Sequence, residues 1–286
     1  MELRDFLIRA HICSQYYGGS VKNVAYFMNE IQKLPTEEEF IKLLKLSEKK
    51  IGKYMAYFLS DGLTKEVEEN KNYGGICTIF DEDYPVLLKE IYNPPLVFFY
   101  NGNFSLLNAP TLAIVGARKH SPYAKEVLKK LLPDILDEGI ATVSGLAKGI
   151  DSLTHKITLS EKGKTIGVIG TGLDRTYPRE NFELQANMEK EGIVLSEYAL
   201  GQKPLRFHFP ARNRIISGLC QSLLVVEARR QSGSLITANM ALQENRNVLA
   251  VPGNINSILS EGCNELILEG AKPILRAEDI LEEFKI

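Results

Sequence analysis

The sequence predicts an α/β protein in two parts: a small all-α domain over residues 1–72, then a doubly wound, mostly parallel sheet over residues 76–286. Three observations predict it. Before residue 72 the apolar residues recur at helical spacing. From residue 111 onward, short β-rich apolar runs alternate with amphipathic stretches, the rhythm of βαβ units that cover a parallel sheet on both faces. The chain has 286 residues, 44% hydrophobic and 24% charged, which is long for one compact domain at ~150 residues each and apolar enough for a sizeable core.

In the first part, Leu3, Phe6, Leu7 and Ala10 mark one helical face, and Val24, Phe27, Met28 and Ile31 a second. Phe40, Ile41, Leu43 and Leu44 mark a third, and Ile51, Tyr54, Met55 and Phe58 a fourth. Four or five short helices are expected, broken at Gly18-Gly19 and Pro35-Thr36, with Lys71-Asn72-Tyr73-Gly74-Gly75 as a linker. A bundle of ~70 residues buries little surface alone and should rest against the larger domain.

In the second part, a separate apolar run at 96–100 should add edge structure. The strand runs are then 112–115, 142–144, 165–169, 193–196, 223–227, 248–251 and 273–275. Helical stretches at 123–136, 152–159, 181–190 and 235–244 lie between them. This is an extended Rossmann-type arrangement, in which ligands bind beyond the carboxyl ends of the strands.

Composition excludes several functions. No apolar run approaches a membrane span, and the acidic start Met1-Glu2-Leu3-Arg4-Asp5 is unlike a signal peptide, so a cytoplasmic protein is expected. Cys13, Cys77, Cys220 and Cys263 are far apart and have no histidine at ligand spacing, so they read as reduced thiols, with no metal site. With 34 Lys+Arg against 36 Asp+Glu, the net charge of -2 argues against indiscriminate nucleic-acid coating and permits a local basic patch.

The loops after the strands are glycine-rich: Gly116-Ala117-Arg118, then 144–151, Gly170-Thr171-Gly172, Gln231-Ser232-Gly233-Ser234 and Pro252-Gly253-Asn254. Each could be a steric necessity of a tight turn. Five on one rim favour a phosphate-bearing ligand. Two nucleotide motifs fail: Gly163-Lys164-Thr165 precedes a strand where a Walker A loop would open a helix, and Arg175 replaces the last small residue of a dinucleotide fingerprint after Gly170. No cofactor is expected.

Residues 203–214 hold Lys203, Arg206, Arg212 and Arg214, with Phe207, Phe209 and His208 and no acid. Cations with interleaved aromatics suit single-stranded nucleic acid, the plain alternative being core phenylalanines under a solvated basic loop. Asp151 is expected to cap a helix and His155 to be packed within it. His208 should be structural or touch a phosphate. Glu227 is the acid placed for chemistry, or for an ion pair with a rim arginine.

Together these stretches closely resemble the DNA-processing protein A (DprA, or Smf) family of natural transformation. The matching residues are Ile114-Val115-Gly116-Ala117-Arg118, Ser144-Gly145-Leu146-Ala147-Lys148-Gly149-Ile150-Asp151 with His155, Gly170-Thr171-Gly172-Leu173-Asp174 and Tyr177-Pro178. Ser196-Glu197-Tyr198, Phe207-His208-Phe209-Pro210-Ala211-Arg212-Asn213-Arg214, Ser232-Gly233-Ser234-Leu235-Ile236-Thr237, Gly262-Cys263-Asn264 and Gly270-Ala271 complete the set, in order, from about residue 78 to the end. The first 72 residues resemble the sterile-alpha-motif-like module of some members.

The resemblance implies a non-enzymatic protein that binds and protects incoming single-stranded DNA, dimerises and helps to load the RecA recombinase. It places Arg118, Arg206 and Phe209 in the DNA pocket with Arg179 nearby, the last arginine and Arg206 standing where relatives carry lysine. On the same rim, Gly116, Ser144, Gly145 and Lys148, then Arg212 and Arg214, and finally Ser232, Gly233 and Ser234 are expected to contact DNA. Leu242, Asn264 and Ile274 are expected at the homodimer interface. One competing reading is an extended Rossmann-type enzyme that cleaves nucleoside monophosphates, but its Pro-Gly-Gly-x-Gly-Thr is replaced here by Pro252-Gly253-Asn254-Ile255-Asn256-Ser257. A nucleotide-sensing module using the same pocket is the other.

Overall fold

The computed structural model describes residues 1–284. The chain opens with five helices, α1 (Leu3–Tyr17), α2 (Val21–Ile31), α3 (Glu37–Leu44), α4 (Glu48–Phe58) and α5 (Asp61–Tyr73). Pro35-Thr36 starts α3 through a capping box, in which Thr36 Oγ1 accepts from Glu39 N and the Glu39 carboxylate accepts from Thr36 N. Ser60 caps α5 by accepting from Leu63 N. Inside, Phe6 meets Phe40 edge-on at 4.8 Å and Phe58 at 5.1 Å, while the Tyr54 hydroxyl donates to Ala10 O at 2.9 Å.

The remainder contains β1 (Gly75–Thr78), α6 (Val86–Lys89), β2 (Val97–Gly102), β3 (Thr111–Val115), α7 (Pro122–Asp137), β4 (Ala141–Ser144) and α8 (Ile150–Ser160). It continues with β5 (Thr165–Ile169), α9 (Phe182–Glu191), β6 (Ile193–Ser196), α10 (His208–Gly218) and β7 (Ser222–Val225). The last elements are α11 (Gly233–Gln243), β8 (Asn247–Ala250), α12 (Glu261–Leu268), β9 (Lys272–Pro273) and α13 (Ala277–Leu281). Among the described residues the strands form one sheet in the order β1-β2-β6-β5-β4-β3-β7-β8-β9. From β6 to β9 every pairing is parallel, and β2 joins β6 antiparallel, with Tyr100 opposite Leu195. The central strands β3 to β7 are buried throughout, which explains their unbroken apolar runs.

Three sequence expectations change and one, the packing of the helical part on the larger domain, holds and is exceeded. The linker at 71–75 does not exist: α5 runs to Tyr73 and Gly75 already begins β1. The helical part does not merely rest on the sheet, because Phe6, Ile8 and Val24 share one core with Phe99 and Val194 of the sheet and Met188 of α9. The basic stretch is not a loop throughout, since α10 starts at His208, with Pro210 in its first turn where its missing N–H costs little. Ile274 is 2% exposed and packs with Leu249 and Ile280 in the core under α7, so it is no interface residue of the free chain. Leu266 likewise completes the chain's own core.

A truncation at that core position should therefore act on folding. Ile274→Ala should cost about 2–5 kcal/mol and lower the melting temperature by at least about 5 °C, whereas Ile255→Ala, at a position 87% exposed, should leave it unchanged. Differential scanning calorimetry of the two variants checks this, and equal melting temperatures would refute the assignment of Ile274 to the core.

Candidate functional site

The chain starts its parallel sheet at β3, builds outward through β4, β5 and β6, then returns to β7 on the other side of β3. The loops after β3 and β7 therefore diverge and leave a crevice, the usual ligand position in such sheets. A cleft of about 540 Å³ opens there. The loop after β3 supplies Arg118 and Lys119, α10 supplies Phe209 and Arg212, and Ser232, Gly233 and Ser234 begin α11 on the far wall.

Beneath the cleft lies a polar lattice. Arg212 is only 5% exposed and donates through Nη1 to Gly145 O and Val168 O, and through Nε to Asn213 Oδ1 at 3.1 Å. Asp151, 9% exposed, faces it. Burial pushes the Asp151 carboxyl up, while the Arg212 charge and the amides of Ala147 and Gly145 pull it back. Gly145 is wedged between the two side chains: a Cβ there would stand 2.5 Å from both Asp151 Oδ2 and Arg212 Nη1. Gly149 caps α8 at φ +84°, and a Cβ on it would strike Ala117 O at 2.2 Å. Asp151 thus lies inside α8 and is not its cap.

Glu227 makes no ion pair with a rim arginine among the described residues. Its side chain, 2% exposed, accepts from Ser121 N at 2.9 Å and from Ser121 Oγ, while Ser121 caps α7. The Glu227 carbonyl also accepts from Ala117 N at 2.8 Å. This acid braces the 116–121 loop from below and so aims Arg118.

The rim carries the charge. Arg118, Lys119 and Arg229 are exposed and, among the described residues, make no hydrogen bond or ion pair. Lys148 is exposed but paired with Glu180 at 2.6 Å. At α11, the N-terminal amides have no side-chain cap, and the buried Ser232 Oγ has no hydrogen-bond partner. Phe209 is half-buried and lines both the cleft and a smaller cavity of about 60 Å³ beside it, with its ring centroid 5.4 Å from that of Tyr177. It is a wall, not a core residue.

The structure gathers Gly116, Arg118, Lys148, Phe209, Arg212, Ser232, Gly233 and Ser234 around the cleft, and Gly145 around the small cavity. It does not bring in the others. Ser144 is fully buried and donates to Ile114 O at 2.6 Å. Arg214 forms a two-point ion pair with Glu197 at 2.6 and 2.7 Å, away from the cleft. Arg179 lines a neighbouring groove, and Arg206 is exposed outside both cavities. Lys119 and Arg229 were missed by the sequence reading, although Arg229-Arg230 lies in the loop after β7 on the binding rim. Asn264 is engaged within its own chain, donating to Gly253 O at 3.0 Å and accepting from Gly253 N at 3.1 Å.

An α/β protein with a cation-rimmed cleft and an aromatic wall at the switch point of its sheet belongs to the class of phosphate-ligand binders. The comparisons with known proteins narrow that class. Residues 75–285 match the family described as DNA recombination-mediator protein A. The DNA processing protein DprA of Streptococcus pneumoniae is 47% identical over 231 residues, 80% of each chain, and that of Bacillus subtilis is 47% identical over 212 residues, 73% of this chain and 71% of that one. The crystal structure of the pneumococcal protein superposes over 100% of both chains with a TM-score of 0.91 at 38% identity. A Helicobacter pylori DNA processing protein A, described for its single-stranded DNA binding mode, covers 74% of this chain and 96% of its own at TM-score 0.67 and 28% identity. The chain belongs to the DNA-processing protein A family.

The site's histidines are structural. His155 is fully buried, its Nδ1 2.7 Å from Thr165 Oγ1, and burial together with the Arg212 charge pushes its pKa down to about 3. His208 is held against Gly170 O at 3.0 Å and stacks on Tyr198. Unfolded, His155 would take a proton near pH 6.5, whereas the folded side chain refuses it until about pH 3. The unfolded state therefore binds more protons across that window, and stability falls as pH drops through it, by up to about 1.4 kcal/mol per pH unit. Urea unfolding of the unmodified protein and His155→Gln between pH 7 and about 4 should show a slope shallower by close to one proton in the variant. Parallel slopes would contradict the burial of a neutral imidazole.

Proposed function

We propose that the cleft binds single-stranded DNA, and that the protein acts in natural transformation by protecting incoming DNA and helping to load the RecA recombinase. The observation that carries this reading is the placement of three unpaired cations, Arg118, Lys119 and Arg229, around the ring of Phe209. Free cations take phosphates and an accessible ring takes an unpaired base, a combination that a duplex with its bases already stacked cannot use. The Helicobacter pylori relative, described for single-stranded DNA binding, supports it. RecA loading rests on the family alone, and this reading puts the protein in the cytoplasm beside that recombinase. We also infer a binding protein without turnover, since Asp151 is committed to Arg212 and Glu227 to Ser121. No helix among the described residues is long and apolar enough to cross a membrane.

Titration of labelled oligothymidylate should give affinity that falls with salt, the logarithmic slope steepening by about 0.7 for each neutralised phosphate. Arg118→Ala should weaken binding at least about tenfold without lowering the melting temperature, because a charged hydrogen bond contributes ~1.5–3 kcal/mol. Phe209→Ala should cost about 1–3 kcal/mol of binding if a base stacks there. Salt-insensitive binding, or preference for duplex or for mononucleotides, would sink the reading.

A homodimer is part of the same proposal. Leu242, Leu268 and Leu275 are 53%, 88% and 69% exposed on α11, on α12 and just after the edge strand β9. With Ile274 in the core and Asn264 satisfied internally, these three leucines are exposed apolar surface of the late part of the chain that a partner copy could cover. Light scattering at micromolar concentration should report twice the 32.0 kDa chain mass, and Leu268→Asp should return it to the monomer.

A further inference from the structure

A second groove of about 820 Å³ adjoins the cleft. One wall is residues 174–179 and Phe182 at the start of α9, and the other is 203–205. Tyr177 belongs both to this groove and to the small cavity that Phe209 shares with the cleft. Cleft, cavity and groove therefore form one continuous surface, which turns past the Phe209 and Tyr177 rings.

Two features of the groove lack a role in the fold. Phe182 is 67% and Tyr177 51% exposed, although both could have been buried or replaced by polar residues. The side chains of Arg179 and Lys203 make no hydrogen bond or ion pair among the described residues. Two of the acids nearby are taken: Asp174 lies 3.9 Å from Arg175 and accepts from Gly201 N at 2.9 Å, and Glu180 pairs with Lys148, while the exposed Glu183 lies outside the groove lining. Within the lining itself, Arg179 and Lys203 are thus left as unpaired cations.

Its walls are also pre-organised. Arg175 Nε donates to Gly201 O at 2.9 Å, and Thr171 Oγ1 donates to Arg175 O at 2.8 Å. The chain entering the second wall is pinned from the helical part, where Ala199 N donates to Gln15 Oε1 at 3.1 Å and Leu200 N to Asn70 Oδ1 at 3.0 Å. A ligand would find the two walls already in place.

We propose that this groove is a second nucleotide subsite, taking the stretch of single-stranded DNA that leaves the cleft past Phe209, with its bases against Tyr177 and Phe182 and its phosphates on Arg179 and Lys203. The inference rests on the reading of the cleft as a single-stranded DNA site. It adds a direction to that reading, because the strand must run from the β3–β7 crevice across the ends of β4 and β5 toward α9. It also predicts a minimum strand length for full affinity within one protomer.

The chain has no tryptophan, so Phe182→Trp places a single indole emitter inside the groove while keeping an aromatic platform. With oligothymidylates of about 4 and about 16 nucleotides, the span seen for single-strand binding modules, the longer strand should quench that emission by half or more at saturation. The shorter strand should bind without quenching. In the otherwise unmodified protein, Lys203→Glu should weaken the 16-mer about tenfold and leave the 4-mer within twofold. A saturating 16-mer that leaves the indole emission of the Phe182→Trp variant unchanged, with Lys203→Glu binding it normally, overturns the second subsite and leaves the cleft reading intact. Failure of the unmodified protein to bind either strand overturns the cleft reading itself.

Discussion

The site depends first on one buried guanidinium. Arg212 reaches from α10 to the carbonyls of Gly145, just past β4, and Val168, in β5, so a single side chain fixes a helix against two strand ends. Asp151 opposite it ties in α8. Asp151 is the counter-charge facing this guanidinium without a direct ion-pair contact, and removing either group would leave the other buried and uncompensated, which typically costs about 3–5 kcal/mol. The value of the arrangement here is geometric. It sets the height of Phe209 above the strand ends and holds the Gly145–Lys148 turn, which no residue with a Cβ at 145 could form unless one of the two charged groups moved.

From that lattice the exposed residues inherit their positions. Glu227 supports the 116–121 loop, so Arg118 is free to point outward without any contact of its own. On the other side, the helical part does related work. His11 and Gln15 both reach Glu197 O, and Gln15 and Asn70 accept from Ala199 and Leu200, so the segment between β6 and α10 hangs from α1 and α5. Glu197 in turn holds Arg214 of α10. The five helices are a buttress for the binding rim as well as a lid on the sheet, and that is why their core merges with the sheet's.

The sheet was legible because strands buried on both faces read as unbroken apolar runs, and β5 and β6 fall at the residues that pattern marks. The helix α10 was not. Its buried positions His208, Arg212, Ile215 and Ile216 have helical spacing, but the first two are polar, so the period is hidden from a search for apolar residues. For the same reason, composition showed four cations in that stretch without showing that Arg212 turns inward and Arg214 is spent on Glu197. Burial of a charge is decided by partners distant in sequence, such as Gly145 and Val168, and no local pattern contains them. Ile274 misled in the opposite direction: an apolar residue near an edge strand serves the core or a partner equally well, and only the packing of α13 over it decides.

The charge balance of the chain follows the same logic. A net charge of -2 is a poor start for holding a polyanion, and the fold does not change it. What it changes is which charges are paired. The acids nearest the rim are committed, Glu180 to Lys148, Asp174 to Arg175 and Gly201, and Glu227 to Ser121, while Arg118, Lys119 and Arg229 are left without partners. A groove rimmed by unopposed cations concentrates potential where its walls exclude water, and charges more than about 10 Å away across solvent are screened at ordinary salt. Local pairing therefore outweighs the global sum, and a chain of slightly acidic composition can present a positive track along one edge of its sheet.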